Sequence, residues 1–393
     1  MVNKVSKWAL LCSFFFLFSL QAFDSLYLTY AEDPAHSIAI HWLEENRGIK
    51  DEKVLYRKSN EEIWQKASYL EDIFGKDILK RSLLVNLEAD TDYVFCLGND
   101  LTLYRFRTLP AKLDRNLRIA IGGDAYQKAI PFEAMNKVVA KMAPDFVILG
   151  GDIAYANRGD PIKRWKEFLH VWYQTMRTEE GRIIPLVAAV GNHEILSKSK
   201  GGGSLFLQLF PYLENGSYGT LDVVGSAFFL LLDTDHLHPI EGEQSAWLKK
   251  MLAEKKEYPY KFAVYHIAAY PSIYNYKDEI PALIRTHWCP LFEESNLKAA
   301  FENHNHAFKR TFPIKAEKID PAGVVYIGDG SWSAAPRDKK DSRWYLEKRE
   351  KCNCFSLLTL AKEYFEVQSF DIKGKLIDEW NTETVRLGVK KED

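Results

Sequence analysis

The sequence predicts a two-part chain, a small all-β sandwich followed by a larger α/β domain in which helices cover central sheets. Three observations carry this. From about Ser25 to Pro110 short alternating runs are punctuated by turns. After Leu117 apolar strands alternate with amphipathic helices. The 393 residues, 47% hydrophobic and 13% aromatic, supply cores for two or three domains at roughly 150 residues each.

In the first part, Leu26–Tyr30, Ser37–Trp42, Lys53–Tyr56, Arg81–Val85, Tyr93–Leu97 and Leu103–Arg107 alternate apolar with polar residues, as half-buried strands do. Several such strands at close spacing suggest a sandwich. Leu109-Pro110-Ala111-Lys112 reads as a linker. In the second part, strands are expected at Leu117–Ile121, Phe146–Leu149, Leu186–Val190, Phe228–Leu232, Phe262–Tyr265 and Val324–Ile327. Helices are expected at Pro131–Met142, Pro161–Met176, Glu241–Lys255 and Cys289–Phe301. The densely charged run Arg337–Lys351 reads as a solvated loop. No internal repeat is visible.

The first residues stand apart from the fold. Lys4 and Lys7 precede an uncharged run from Trp8 to Leu20 that ends near Gln21-Ala22. That run is short for a bilayer-crossing helix, which needs about 20 residues. It suits the apolar region of a secretory signal peptide over residues 1–22, with an uncleaved anchor as the alternative. The protein is therefore expected to be exported, to the periplasm or beyond, with no later membrane-spanning segment. Charge is nearly balanced, 52 Lys+Arg against 54 Asp+Glu, which argues against nucleic-acid binding. Beyond the signal, Cys96, Cys289, Cys352 and Cys354 remain, and four cysteines allow three pairings or free thiols.

Five strand ends carry chemistry. They are Ile121-Gly-Gly-Asp124, Leu149-Gly-Gly-Asp152-Ile-Ala-Tyr155, Val190-Gly-Asn192-His193-Glu194, Val264-Tyr-His266 and Glu302-Asn-His304-Asn-His306. Each follows an apolar strand, so each polar group emerges at a sheet edge rather than inside a core. A single such match arises by chance on the order of a few times per thousand chains, whereas five in order are specific. Asp124 and Asp152 taken singly are also good turn formers. His236 and His238 read as loop residues or supports.

On these motifs the chain resembles the purple acid phosphatases, within the wider calcineurin-like metallophosphoesterases. The resemblance runs over most of the chain beyond the signal, and its first part, with Trp42 and the exit Phe106-Arg-Thr108, looks like that family's fibronectin-like domain. It implies a fibronectin III-like sandwich over 23–110 and a four-layer αββα catalytic domain with two central sheets over 115–385. Carried over by motif, Asp124, Asp152, Tyr155 and His306 would hold one metal. Asp152 would bridge to a second, completed by Asn192, His266 and His304. The phenolate and carboxylates suit Fe(III) at the Tyr155 site, while imidazoles and an amide oxygen suit a divalent Zn, Mn or Fe ion. The implied reaction is acid phosphatase chemistry on a small phosphomonoester, by attack of a metal-bound hydroxide on phosphorus. His193 would contact the phosphate or protonate the leaving alkoxide, and Glu194 would orient a histidine.

The pattern departs from the family at Tyr126 and Asn303, where glycines are usual. Asn275 and Tyr276 fall where plant members carry substrate-facing histidines. Two other functions remain open: the same site used on phosphodiesters, nucleotides or pyrophosphates, and a non-catalytic surface binding module that kept the fold. The sequence leaves the oligomeric state open.

Overall fold

The computed structural model describes residues 25–45, 53–98, 102–197, 203–328 and 330–381. The expected signal segment 1–22 lies outside the described residues. Before residue 110 the described strands are β1 (Ser25–Thr29), β2 (Ile38–Glu45), β3 (Val54–Lys58), β4 (Gln65–Ala67), β5 (Leu70–Phe74), β6 (Asp77–Leu84), β7 (Asp92–Leu97) and β8 (Tyr104–Arg107). They pair as two antiparallel four-stranded sheets, β1-β2-β6-β5 and β4-β3-β7-β8. The period of two in each strand sends Leu26, Leu28, Ile40 and Trp42 from one sheet against Val54, Phe95 and Phe106 of the other. The expected linker is pinned at its start. Leu109 and Pro110 are buried, and the Leu109 amide donates to Pro34 O at 3.0 Å.

The second part runs β9 (Leu117–Gly122), α1 (Ala129–Lys141), β10 (Phe146–Gly150), α2 (Pro161–Thr175), β11 (Leu186–Ala189), α3 (Ser204–Leu209), β12 (Gly219–Val223), β13 (Ala227–Leu232), α4 (Glu243–Glu254), β14 (Tyr260–Ile267), α5 (Glu279–His287) and α6 (Cys289–Glu294). It continues through β15 (Ala299–Asn303), β16 (Phe308–Thr311), β17 (Ile314–Lys315), β18 (Lys318–Ile319), β19 (Val325–Gly328), β20 (Leu346–Glu350), β21 (Cys354–Leu360), β22 (Phe365–Asp371) and β23 (Leu376–Asn381). One six-stranded sheet has the order β11-β10-β9-β21-β22-β23, and one seven-stranded sheet the order β12-β13-β14-β15-β19-β16-β20.

Three apolar interfaces stack these sheets into four layers. Phe132, Met135 and Val139 of α1, with Trp165, Phe168 and Trp172 of α2, cover Val147, Leu149 and Leu186 of the first sheet. The opposite face of that sheet, Ile119, Ile148 and Leu358, packs on Phe229, Phe262 and Phe301 of the second. Leu248, Ile284 and Phe292 of the helices α4, α5 and α6 close the far side on Leu230, Tyr265 and Tyr326. Central strands are thus buried on both faces, which is why Ala227–Leu232 is apolar without alternation. The αββα arrangement expected from the resemblance is present.

Two expectations about elements need correction. The helix expected over Cys289–Phe301 ends at Glu294, and Ala299–Asn303 is a strand. Asn296 breaks the helix by turning to a φ of +57°, and the small residues Ala299 and Ala300 then fit between β14 and β19. The charged run Arg337–Lys351 is only partly a loop, since Leu346–Glu350 forms the edge strand β20 beside β16. Charged residues suit a sheet edge because they deter further strand pairing.

Candidate metal centre

The parallel strands β9, β10, β14, β15 and β19 run in one direction within their sheets, so their carboxyl ends open on one crevice. Asp124 and Asp152 follow β9 and β10, His193 follows β11, His266 lies near the end of β14, and His304 follows β15. The chain turns sharply there. Asp124, Asp152, Tyr155, His304 and His306 take φ of +54°, +51°, +52°, +78° and +61°. Left-handed backbone costs a non-glycine residue about 1–2 kcal/mol. Five of the 13 such residues described thus sit at expected ligand positions, as strain held by the surrounding fold does at functional sites. Gly330, at φ +63°, faces Asp124, and a Cβ there would overlap the carboxylate.

The residues expected from the motifs fall into two touching groups. In one, His306 Nε2 lies 2.8 Å from Asp124 Oδ1, and Tyr155 Oη lies 3.2 Å from each of these atoms. In the other, His266 Nε2 lies 3.2 Å from Asp152 Oδ2, 3.1 Å from Asn192 Oδ1 and 3.1 Å from His304 Nδ1. The His304 amide donates to Asp124 Oδ2 at 2.8 Å and ties the groups together. Asp124, Asp152, Tyr155 and His266 are at most 1% exposed.

This donor set fits a cation. His266 Nδ1 faces the Gly150 carbonyl at 3.1 Å, which requires a proton on Nδ1 and leaves Nε2 as a lone pair for coordination. Around Nε2 stand a carboxylate oxygen, an amide oxygen and a second imidazole nitrogen at short range, the first two acceptors only. Asp152, His266 and His304 each offer a ligand atom within 4.8 Å of the others. Without a cation a proton must supply the charge. Burial disfavours it, but the carboxylates of Asp152 and Asp124 overcome that and raise His266 to about 9. Burial and the neighbouring His266 lower His304 to about 4.

His193 sits on the rim. Its amide donates to Asp152 Oδ1 at 2.7 Å and its ring packs 4.5 Å from that of Tyr155. Asn157 directs its amide NH2 at the carbonyls of Asn192 and Ile195, 3.2 and 3.4 Å away. Asn157 Oδ1 therefore accepts from His193 Nδ1 at 2.6 Å. The Arg158 guanidinium, which can only donate, lies 3.1 Å from His193 Nε2. These two contacts set the neutral ring with its proton on Nδ1, and burial lowers the His193 pKa further.

Glu194 differs from its expected part. It orients no histidine. Its buried carboxylate accepts from the amides of Asp152, Ile153 and Gly191 at 2.8, 2.8 and 2.9 Å, so it shapes the loop that presents Asp152. Burial and the Asp152 charge push Glu194 up to about 8, against the pull of those amides. Asn275 and Tyr276 do not face the centre either. Tyr276 lies under Arg285, 3.6 Å from its guanidinium to the ring centroid. Tyr274 takes the place instead, stacked on His304 with ring centroids 4.8 Å apart. Asn303 is buried and donates to Tyr265 O at 2.9 Å, filling space that Gly123 and Gly150 leave by lacking a side chain. His236 stands 5.7 Å from His266 and bonds Thr234 Oγ1 at 3.0 Å, a supporting position. Asn157, Arg158 and Tyr274 went unread in the sequence. Their one signal is position, directly after Tyr155 and in the loop after His266.

Residues 117–308 match the family model of calcineurin-like phosphoesterases. This part of the chain is a calcineurin-like phosphoesterase domain. The phosphoesterase domain and its flanks are similar to purple acid phosphatase 15 of Arabidopsis thaliana, 26% identical over 292 residues, which cover 65% of this chain and 54% of that protein. Probable purple acid phosphatase 20 of the same plant is 28% identical over 260 residues, covering 62% and 58%. The chain thus spans little more than half the length of these relatives. Among solved structures, GAP50, described as the anchor in the inner membrane complex of Plasmodium, shares the fold. Its TM-score is 0.51 at 14% identity, over 67% of this chain and 88% of that one. No described helix is long and apolar enough to cross a membrane.

Proposed function

We propose that the protein is an exported, binuclear metal-dependent acid phosphatase that hydrolyses phosphomonoesters. The observation carrying this reading is the convergence of two acceptor-rich groups, Asp124–Tyr155–His306 and Asp152–Asn192–His266–His304, at the strand ends of a phosphoesterase domain. On this reading Asp152 bridges the two groups. Fe(III) suits the phenolate and carboxylates on the Tyr155 side, and a divalent Zn, Mn or Fe ion suits the imidazoles and amide on the other. Bound there, such cations supply positive charge for the phosphoryl oxygens and lower the pKa of the attacking water.

The chain's own residues do the rest. His193 presents Nε2 toward the centre, 3.7 Å from Asp152 Oδ2; once the negative charge of a bound phosphate draws a second proton onto that nitrogen, it contacts the phosphate or passes that proton to the leaving alkoxide. Asn157 fixes its ring, and Arg158 brings a positive charge to the same rim. Glu194 holds the Asp152 loop in its strained shape. The reading takes 1–22 as a signal peptide, 23–110 as a fibronectin-like domain and 115–385 as the catalytic domain. The partner is a small phosphorylated molecule rather than a nucleic acid.

The test combines a visible absorption spectrum, metal analysis and hydrolysis of p-nitrophenyl phosphate. Expected are a broad visible band from tyrosinate on ferric iron, about two metals per chain, and turnover favoured at acidic pH. Asp152→Ala is expected to lower turnover more than about 100-fold, since even residues that only support ligands cost 10–100-fold. Parental turnover by Asp152→Ala, or a protein that takes up no metal, overturns the reading. In the second case a non-catalytic binding module replaces it. Faster turnover of bis-p-nitrophenyl phosphate or pyrophosphate would reassign the site to diesters or anhydrides.

A further inference from the structure

Beside His304, outside the ligand cluster, lies a pocket of about 190 Å³. Its walls are Ile267, Ala268 and Pro271 from the end of β14, Ile280 and Pro281 from α5, and the ring of Tyr274. His304 lines both the pocket and the candidate metal centre. Nothing in the phosphoryl-transfer reading above uses this space.

Tyr274 is 36% exposed yet held at its ring, its hydroxyl and its backbone amide. Its ring lies on the His304 imidazole, inclined by only 29°. Its hydroxyl accepts from Arg337, whose guanidinium also sits 5.2 Å from the ring centroid. The backbone amides of Ile273 and Tyr274 both donate to Asn305 Oδ1, at 2.8 and 3.0 Å. The Arg337 amide in turn donates to His306 O at 2.7 Å. An exposed aromatic side chain fixed in this way, next to an apolar hollow, is a preorganised wall.

Resting on the phosphatase reading, we propose that this pocket receives the leaving group and selects esters of a neutral monocyclic aromatic alcohol, with Tyr274 as the specificity-determining residue. Size favours one ring, because a dry apolar cavity of about 150 Å³ already admits benzene. Charge favours a neutral one. Asp278 and Glu279 line the pocket and oppose a leaving group with its own phosphate, as in pyrophosphate or a nucleoside diphosphate, while the nearby Arg337 is outside the lining and occupied by the Tyr274 hydroxyl. The phosphorus–oxygen bond that breaks would then point away from Asp152 and past His304 toward Tyr274. The alkoxide leaves into the pocket and takes up a proton at its mouth from His193 or solvent water, while the attacking water supplies the new oxygen of inorganic phosphate and releases a proton in exchange.

The test separates ring recognition from leaving-group reactivity by using inhibitors that cannot be cleaved. Benzylphosphonate and propylphosphonate compete with phenyl phosphate and with 2-glyceryl phosphate on the full, metal-loaded protein. Benzylphosphonate is expected to inhibit about tenfold more tightly, the scale of discrimination an apolar pocket provides. Tyr274→Ala removes the wall and Ile280→Trp fills the hollow, and each is expected to bring the two inhibition constants together. Both positions are at least partly exposed, which favours folded variants, and circular dichroism confirms folding. Equal inhibition by the two phosphonates in the parent, or an unchanged ratio in both folded variants, overturns the pocket while leaving the phosphatase intact. No turnover of either ester overturns the phosphatase reading and the pocket with it.

Discussion

Glu194 shows how one buried acid shapes a site without touching the side chain of any candidate ligand. Both carboxylate oxygens are occupied: Oε2 accepts from Asp152 N and Gly191 N, and Oε1 accepts from Ile153 N. A glutamine would place its NH2 against one of these amides in either orientation. Above about pH 8, where Glu194 is ionised, Glu194→Gln is therefore expected to lose about 2–3 kcal/mol of stability, the scale of a charge-assisted hydrogen bond plus an unsatisfied buried donor. It is also expected to bind metal 10-fold to 100-fold more weakly, roughly as other ligand-supporting residues do. Thermal melting and a zinc titration check both. A variant as stable and as tight as the parent would mean that the loop keeps its shape unaided.

At the scale of elements, the wall that carries Tyr274 is anchored by a buried ion pair between two strands. Glu302 on β15 and Lys309 on β16 are both fully buried and bonded to each other. Glu302 also accepts from Tyr265 Oη and Ala269 N, each at 2.7 Å. Lys309 also donates to Tyr270 O. The pair therefore pins the segment after His266 at two points, Ala269 and Tyr270. Breaking such a pair strands a charge, so Lys309→Met is expected to cost about 3–5 kcal/mol in urea unfolding. Removing both charges, as in Glu302→Gln with Lys309→Met, is expected to recover part of that loss. A double variant no more stable than Lys309→Met would show that the remaining contacts, not the stranded charge, carry the cost.

Across the whole molecule, the sandwich and the phosphoesterase domain share an interface built partly on a histidine. His41 of β2 is fully buried, stacked on Tyr27 at 4.6 Å and edge-on to Tyr212 of the second domain at 5.7 Å. Tyr27 Oη donates to Leu209 O at 3.1 Å across the same junction, and Lys166 pairs with Asp77 at 2.6 Å. Burial, with Arg81 adding to it, lowers His41 to about 3. The unfolded chain takes up this proton near pH 6.5, so stability is full above that pH and declines as pH falls toward 3. The slope of about 1.4 kcal/mol per unit amounts to roughly 2 kcal/mol by pH 5. His41→Phe is expected to flatten the dependence of melting temperature on pH between 7 and 4. An equally steep profile in His41→Phe would place the acid sensitivity elsewhere.

Much of this architecture was legible from the chain itself. Strands such as Phe228–Leu232 are apolar on both faces because both faces are buried, whereas Leu26–Tyr30 alternates in sequence yet is buried throughout, since its Tyr27 face lies against Leu209 and Phe210 of the second part. The ligand-type residues could be read for a related reason: Gly-Asp and Asn-His-Glu sit where strands end and the chain must turn, so the motif and its position come from the same few residues. What failed were cases decided by distant partners. Ala299–Phe301 looked like the end of a helix until β14 and β19 claimed it. Glu194 was read as a histidine's partner, but three amides from two loops surround it. Tyr274, rather than Tyr276, reached the centre because Asn305 fixes that turn's backbone and Arg285 draws Tyr276 away. Residue type and local period determined which elements form and which groups stand at their ends. The tertiary structure alone decided which of those groups face one another, because that depends on contacts between residues far apart in sequence, such as His306 with Tyr155 and His304 with Asp124.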